Sequence, residues 1–496
     1  MPSTFFGLDI GKSGLYAASV GLSTAAHNIS NENTKGYSRQ QINQTARSAA
    51  DVYARYGQVG TGTEVTGIER IRDKYYDSKY RYNNAKQNEQ SSKYTYNLQI
   101  EDYFNEMKEK GFTTQYNEIF SAFQELNGSP EDITIRTEVL NAAQSMADYM
   151  NDVQTKLTKL QQESNLDVSN CVDRINTYTE QIATLTKQIN IVELAGGTAN
   201  DLRDQRDLAL DKLSAIVPVD VTETKYGTNK VDYIVKAGEF VLVNNNDNRE
   251  LTVVSRENKN NANDVVGLYD IYYYYDENTK TGTRFDVQAM NLGGQLRGTL
   301  DIRDGNNGDA NAAKPVNYKG ISYYINEIQD FKKAIADAFN AVQTSGINLK
   351  GESSANTDFF KITDTGVLEV NKDLMKDPSL LATTDKPLQD GVSDASLVSK
   401  FLDIRDAKIL DNSSATQYLE GIVGEVAVST QKAKVFESNY QNIVKTIDTE
   451  RMSISGVDSD EETMSLEKYQ EAYSLCSRII SVMSECYSKL INETGV

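Results

Sequence analysis

The most regular pattern in this chain lies in residues 466–490, LEKYQEAYSLCSRIISVMSECYSKL, where apolar residues recur at alternating intervals of three and four. A helix with this spacing presents one apolar edge and packs against other helices as a coiled coil. Ser459 and Glu462 stand just upstream at the spacing of a capping box, which predicts that the helix begins there. The predicted apolar edge consists of Leu466, Tyr469, Tyr473, Cys476, Ile480, Met483, Tyr487 and Leu490.

The N-terminal end of the chain carries a matching pattern. Large apolar residues recur there every seven positions, and Gly11, Ala18 and Ala25 form a companion line of small residues. Small residues let a second helix approach closely. We therefore predict an assembly interface in which the C-terminal edge is joined by Leu8, Leu15, Leu22 and Ile29.

Helical periodicity continues between the two ends. The pattern predicts a polar helix at about residues 133–160 and a second heptad segment at 168–192. Gly196 and Gly197 are expected to end this helical region. Three further amphipathic helices are predicted at residues 201–213, 321–342 and 418–447.

The period changes to two in the middle of the chain. Segments rich in Val, Ile, Tyr and Thr alternate there with clusters of Asn, Asp and Gly, which is typical of strands joined by turns. The predicted strands are 219–224, 231–236, 239–243, 251–255, 268–275 and 284–290. The predicted fold class is therefore mainly α with an inserted β domain.

The order of these segments predicts a division into three domains. Residues 1–40 and 456–496 form a terminal coiled-coil domain in this interpretation. A body of long helices comprises residues 41–217 and 313–455. An inserted, outward-facing β-rich domain comprises residues 218–312.

Composition limits the classes of function. The 496 residues carry a formal charge of −20, which makes nucleic acid and anionic membrane surfaces poor partners. One histidine and three cysteines without metal-ligand spacing predict no metal, cofactor or catalytic site. Asp201, Asp204 and Asp207 alternate with Arg203 and Arg206 at helical ion-pair spacing, so we expect a solvated helix face there rather than a carboxylate site.

The segment HNISNENTKGYSR, residues 27–39, follows the N-terminal seam directly. Asn and Thr side chains compete for nearby backbone groups, and Gly36 can adopt a positive φ angle. The segment is therefore predicted to end the first helix.

This segment also resembles the N-terminal signature of the bacterial flagellar rod, hook and hook-associated axial proteins. The C-terminal stretch from Gly456 to Ile480 is similar to that family's C-terminal motif, and residues 201–207 and 292–304 are similar to its hook-associated members. The signature residues are Asn28, Asn31, Asn33, Thr34, Gly36, Tyr37 and Arg39.

The resemblance implies a structural role without catalysis. Such a protein would be exported unfolded through the flagellar type III channel without a cleaved signal. It would then self-assemble as a junction ring between hook and filament in the extracellular flagellum, with both termini in a coaxial inner layer. The implied partners are further copies of itself, the hook protein, the second junction protein and an export chaperone.

Two other functions remain open at this point. One is a different axial role, as the hook protein or the second junction protein, because these share the N-terminal signature. The other is a secreted surface-binding or adhesive protein that acts through the β insertion, where Tyr272 to Tyr275 form an aromatic run.

Overall fold

The computed structural model of the protein describes residues 6–51, 57–104, 111–226, 230–387, 393–410 and 412–493. Helices dominate, and within these ranges none is both long and apolar enough to span a membrane. The helices are α1 (Phe6–Asn31), α2 (Lys74–Tyr103), α3 (Phe112–Gly128), α4 (Ile133–Leu194), α5 (Asn200–Ile216), α6 (Gln295–Asp304), α7 (Ile321–Thr344), α8 (Lys372–Lys376), α9 (Ser396–Asp403), α10 (Ala415–Ser455) and α11 (Ser459–Asn492).

The strands are short and pair in antiparallel fashion. They are β1 (Gln40–Ala46), β2 (Ala50–Asp51), β3 (Gln58–Val59), β4 (Thr63–Arg70), β5 (Asp220–Tyr226), β6 (Lys230–Ala237), β7 (Phe240–Asn244), β8 (Asp247–Asn248), β9 (Thr252–Ser255), β10 (Tyr269–Asp276), β11 (Thr281–Arg284), β12 (Phe360–Ile362) and β13 (Leu368–Val370). The predicted fold class, mainly α with a β-rich part, is confirmed.

The chain divides into two compact units. Unit 1 comprises Met1–Lys86, Arg174–Leu251 and Asn439–Val496, and unit 2 comprises Gln87–Asp173 and Thr252–Ser438. The four-stranded sheet β5-β6-β7-β8 belongs to unit 1, and the three-stranded sheet β11-β10-β9 belongs to unit 2. A separate β domain at residues 218–312 stays a prediction.

In unit 1, helix α5 and the four-stranded sheet share a buried interior. Leu210 and Leu213 of α5 are fully buried, as are Val235 and Leu242 of the sheet. The Arg206 guanidinium of α5 stacks on the Tyr233 ring of β6 at 3.6 Å from its centroid. Strands β1 and β4 form a hairpin in the same unit, which the sequence pattern did not predict.

Unit 2 is built around a core of aromatic side chains. Phe339 of α7 lies 5.3 Å from Phe359 and 5.4 Å from Phe360, measured between ring centroids. Phe123 of α3 stacks on Phe401 of α9 at 4.7 Å. Helix α7 is therefore the central helix of this unit, as its strong amphipathic pattern suggests.

Two local predictions are wrong. The last predicted strand, 284–290, does not form, because β11 already ends at Arg284. The Asp286 carboxylate accepts hydrogen bonds from the N–H groups of Gln288 and Ala289, which turns the chain there. The predicted capping box at Ser459 is also wrong. Asp458 caps α11 instead, since its carboxylate accepts from the N–H groups two and three residues on.

Lys332 of α7 is a fully buried lysine whose amine meets only neutral acceptors. It donates to Asn151 Oδ1 at 2.8 Å, to Gln154 and to the Gly366 carbonyl at 3.4 Å. Burial lowers the pKa of Lys332 to about 8. The fold therefore favours the neutral amine, whereas an unfolded lysine titrates near pH 10.4.

We expect Lys332→Met to change how stability depends on pH. Between about pH 8 and 10.4 the unfolded wild type binds more protons than the folded one, so its unfolding free energy rises through this window by up to about 3 kcal/mol. Lys332→Met should lack that rise in urea unfolding measured by circular dichroism from pH 7 to 10. Lys333→Met, one residue on and exposed, is the matched control. An equal change in both variants would contradict the assignment to Lys332.

Candidate assembly surface

Helices α1 and α11 of unit 1 pack against each other along a row of small residues on α1. A Cβ atom added at Gly14 would lie 2.7 Å from Cys476 Sγ, and one added at Gly21 would lie 2.6 Å from the Tyr469 ring. These distances leave no room for a side chain. We call this row the small-residue seam, and it consists of Gly7, Gly11, Gly14, Ala18, Gly21 and Ala25.

The residues predicted for the interface differ in how far the seam buries them. The atoms of α11 nearest to a Cβ at Gly11 belong to Ile480 and Ile479, and those nearest to one at Gly7 belong to Met483. The half-buried residues are Leu8, Leu15, Leu22, Ile29, Leu466, Tyr469, Cys476, Ile480, Met483 and Tyr487, whereas Tyr473 and Leu490 are exposed. Their role as an assembly interface stays a prediction.

A second apolar face of α11 lies beside the seam, and the sequence analysis missed it. Leu475, Ile479 and Val482 are between 46% and 58% exposed. They keep the same spacing of four and three, so the periodicity could have revealed them. We call these three residues the outer face of α11.

Asn28 joins three segments at the C-terminal end of α1. Its side-chain amide donates to the Gln40 carbonyl at 2.8 Å and to Glu462 Oε2 at 3.1 Å. Its side-chain oxygen accepts from the Tyr37 hydroxyl at 2.7 Å and from the Gln40 N–H at 3.0 Å. All four hydrogen-bonding positions of this buried amide are thus used, so a residue of another type would leave partners unsatisfied.

The other signature residues shape the turn after α1. Asn31 donates to the His27 carbonyl at 3.0 Å, and Thr34 donates to Asn31 Oδ1 at 3.2 Å. Gly36 has a φ angle of 85°, as predicted, and Asn33 is exposed. The helix stop predicted for this segment is confirmed.

Arg39 links the turn to the start of α11. Its Nε donates to Glu462 Oε1 at 2.6 Å, and Nη1 donates to Glu461 Oε2 at 3.0 Å. Its own N–H donates to the Ser455 carbonyl at 2.8 Å. The signature residues Asn28 and Arg39 therefore hold the two ends of the chain together through the same carboxylate.

Asp204 and Asp207 of α5 are buried, which corrects the solvated helix face predicted for them, whereas Asp201 is exposed. Asp204 accepts from the Ser38 N–H and hydroxyl, each at 2.8 Å, and pairs with Arg70 at 2.7 Å. Asp207 pairs with Arg70 at 2.7 Å and Arg81 at 3.1 Å. The arginines lie more than a hundred residues away in sequence, so helical spacing could not indicate them.

The same cluster continues to α10. Asp211 pairs with Arg81 at 2.8 Å and with Arg451 at 2.6 Å, and Arg451 also contacts Asp77 at 3.0 Å. We call these groups the arginine–aspartate cluster. It connects α2, β4, α5 and α10 within unit 1.

Comparison with known proteins identifies the fold. The family described as "Flagellar hook-associated protein FlgK helical domain" matches residues 98–360, which is more than half of the chain. The chain belongs to the flagellar hook-associated protein FlgK family. The resemblance drawn from its two ends is therefore confirmed, and the chain is a hook-associated protein of the bacterial flagellum.

Relatives from several bacteria match along nearly their whole length. Flagellar hook-associated protein 1 of Bacillus subtilis strain 168 is 27% identical over 515 residues, covering 100% of this chain and 99% of the relative. The protein of the same name from Escherichia coli K12 is 24% identical, covering 97% and 98%. The corresponding protein of Salmonella typhimurium is 23% identical over the same shares.

A solved structure shares the fold of this FlgK family member. The flagellar hook junction protein FlgK of Burkholderia pseudomallei superposes with a TM-score of 0.61 at 14% identity. It covers 76% of this chain and 100% of its own.

Proposed function

We propose that this chain self-assembles, after export through the flagellar type III channel, into the ring that joins the hook to the filament. The observation that carries the proposal is the outer face of α11. Leu475, Ile479 and Val482 stand about half exposed on a helix whose other apolar edge already packs on α1. Exposed apolar residues at coiled-coil spacing favour packing against further helices.

The energies support assembly through this face. Covering the remaining half of each of the three side chains contributes about 1 kcal/mol, since full burial of such a side chain is worth about 1.5–3 kcal/mol. The contribution recurs in every subunit of a ring, where each α11 meets the terminal helices of a neighbour. The relatives named hook-associated protein 1 and hook junction protein support this setting.

The proposed neighbours follow from that position. The hook protein lies on one side of the ring and the second junction protein on the other, and an export chaperone binds the chain before export. Residues 1–40 and 456–496 form the coaxial layer in this proposal, and residues 41–217 and 313–455 form the body. Residues 218–312 face outward, and the role is structural rather than enzymatic.

Deletion of the gene that encodes this chain in its host tests this function. Hooks should form without filaments, and unpolymerised flagellin should collect in the medium, as seen by electron microscopy and immunoblotting. Restoring the wild-type chain with an epitope tag should restore filaments and place immunogold label at the hook–filament boundary. Normal filaments on the deletion strain, or label along the whole filament, would contradict the proposal.

A further inference from the structure

An acidic groove lies on unit 2 between α7 and the segment that leads into α10. It has a volume of about 580 Å³. Its apolar lining consists of Ala334 and Ala338 of α7 and of Ile409 and Leu410 from the segment before α10. The carboxylates of Glu327, Asp330 and Asp337 line it, with Lys333 among them.

The carboxylates of the groove are poorly neutralised. Among the described residues, no lysine or arginine lies within ion-pair distance of Asp330 or Asp337. Glu327 accepts a hydrogen bond from the Tyr418 hydroxyl. Its pKa is nonetheless raised, first by burial and then by the nearby carboxylates Asp330 and Glu425. A cationic group that entered the groove would be stabilised by these charges.

A complementary face lies further along α10 in the same unit. Val428, Val435 and Phe436 are between 43% and 69% exposed, and they share one side of the helix with Lys432. The stretch from Val426 to Phe436 contains no acidic residue, although the chain as a whole has a net charge of −20. We call these four residues the α10 face.

We propose that the α10 face of one copy docks into the acidic groove of a neighbouring copy. The dimensions agree, because Val428 and Phe436 are eight positions apart and span about 12 Å of helix, and Asp330 and Asp337 are seven positions apart and span about 10 Å. The charges agree as well, with Lys432 directed towards the carboxylates and the apolar side chains towards the apolar lining of the groove. This inference rests on the proposed assembly of the chain into a ring.

The two surfaces of a single copy cannot meet. Tyr418 lines the groove and lies on the same continuous helix as Lys432, fourteen residues away, or about 21 Å. The contact must therefore join different copies, and it pairs two unlike surfaces. Such head-to-tail contacts repeat from copy to copy and generate rings or helical arrays.

A charge exchange tests the contact. Lys432→Glu and Asp337→Lys should each lower the amount of tagged chain at hook tips, measured by immunogold counting, by about fivefold or more, because each sets like charges against each other. The double variant should recover to within about twofold of wild type. Lys434→Glu is the matched control, since Lys434 is exposed but lies about 160° around the helix from Lys432. Equal effects of Lys432→Glu and Lys434→Glu, or a double variant worse than either single one, would overturn the inference.

A photo-cross-linkable residue at position 435 identifies the partner directly. The expected product has the mass of two copies of this chain, with the cross-link in the peptides that contain Ala334, Ala338, Ile409 or Leu410. A product with a different protein would overturn the inference. If wild-type chain is absent from hook tips, the proposed function fails. If wild type is present and the exchange has no effect, only the docking of the α10 face fails.

Discussion

Cells that carry Ile480→Asp in this chain are expected to build hooks, to secrete the variant chain and flagellin into the medium, and to bear no filaments. Ile480 lies at the middle of the α11 edge, with its Cγ1 only 3.0 Å from where a Cβ of Gly11 would stand. A carboxylate there would enter an apolar seam without a partner, at a cost of about 3 kcal/mol or more in each subunit. The cost recurs around a ring, so the assembly should fail as a whole. Electron microscopy of the cells and immunoblots of the medium measure the result.

Glu485→Lys is the control for Ile480→Asp. Glu485 is exposed and makes only a surface ion pair with Lys489 at 3.6 Å, so its loss should cost less than about 0.5 kcal/mol and leave filaments intact. Normal filaments on Ile480→Asp cells would show that assembly does not need the seam. A large drop in the melting temperature of the purified variant would show that the substitution acts through the pairing of α1 with α11 within one chain rather than through contacts between subunits.

Asp207→Asn is expected to lower the unfolding free energy by about 3–5 kcal/mol. Asp207 lies between Arg70, Arg72 and Arg81, and removing its charge leaves these three buried guanidinium groups with one carboxylate fewer to balance them. Urea unfolding followed by circular dichroism measures the loss. Asp201→Asn, on the same helix but 57% exposed at its side chain, should change stability by less than about 1 kcal/mol. Equal losses in the two variants would contradict a special role for the arginine–aspartate cluster.

Wild type and the Asp207→Asn variant should respond differently to acid. Burial disfavours the charged form of Asp207, but the guanidinium groups of Arg72, Arg70 and Arg81 outweigh it and hold its pKa well below the ordinary value. The carboxylate therefore stabilises the fold fully above the pKa of an unfolded aspartate, about 3.9, and this contribution is lost as the pH falls further. The stability difference between wild type and Asp207→Asn should shrink below about pH 4.

Periodicity predicted the helices well because a buried stripe repeats along each of them. The edge of α11, the amphipathic α7 and the glycine stop after α4 all follow from local spacing. The signature residues at the end of α1 and in the turn before β1 also indicated the family. These features depend on residues that are close in sequence.

The failures have a common physical cause. Spacing shows which residues share a helix face, but it does not show what covers that face. The helix face of Asp204 and Asp207 was predicted to be solvated because arginines of α5 itself alternate with these aspartates. The arginines that neutralise the two carboxylates come instead from α2, from β4 and from the segment between them. The small-residue seam of α1 was likewise seen as a companion line, although it is the part of α1 that α11 covers.

The links from Asn28 and Arg39 to Glu462 also constrain the order in which the chain can fold. They join residues separated by 434 and 423 positions in the sequence. Closing so long a loop carries a large entropy cost, which slows the contacts that depend on it. A chain that emerges with its N-terminus first has α1 present from the beginning and its partner helix only at the end. The pairing of α1 with α11 is therefore completed only after almost the whole polypeptide has emerged. Until then the row of glycines on α1 has no helix to pack against.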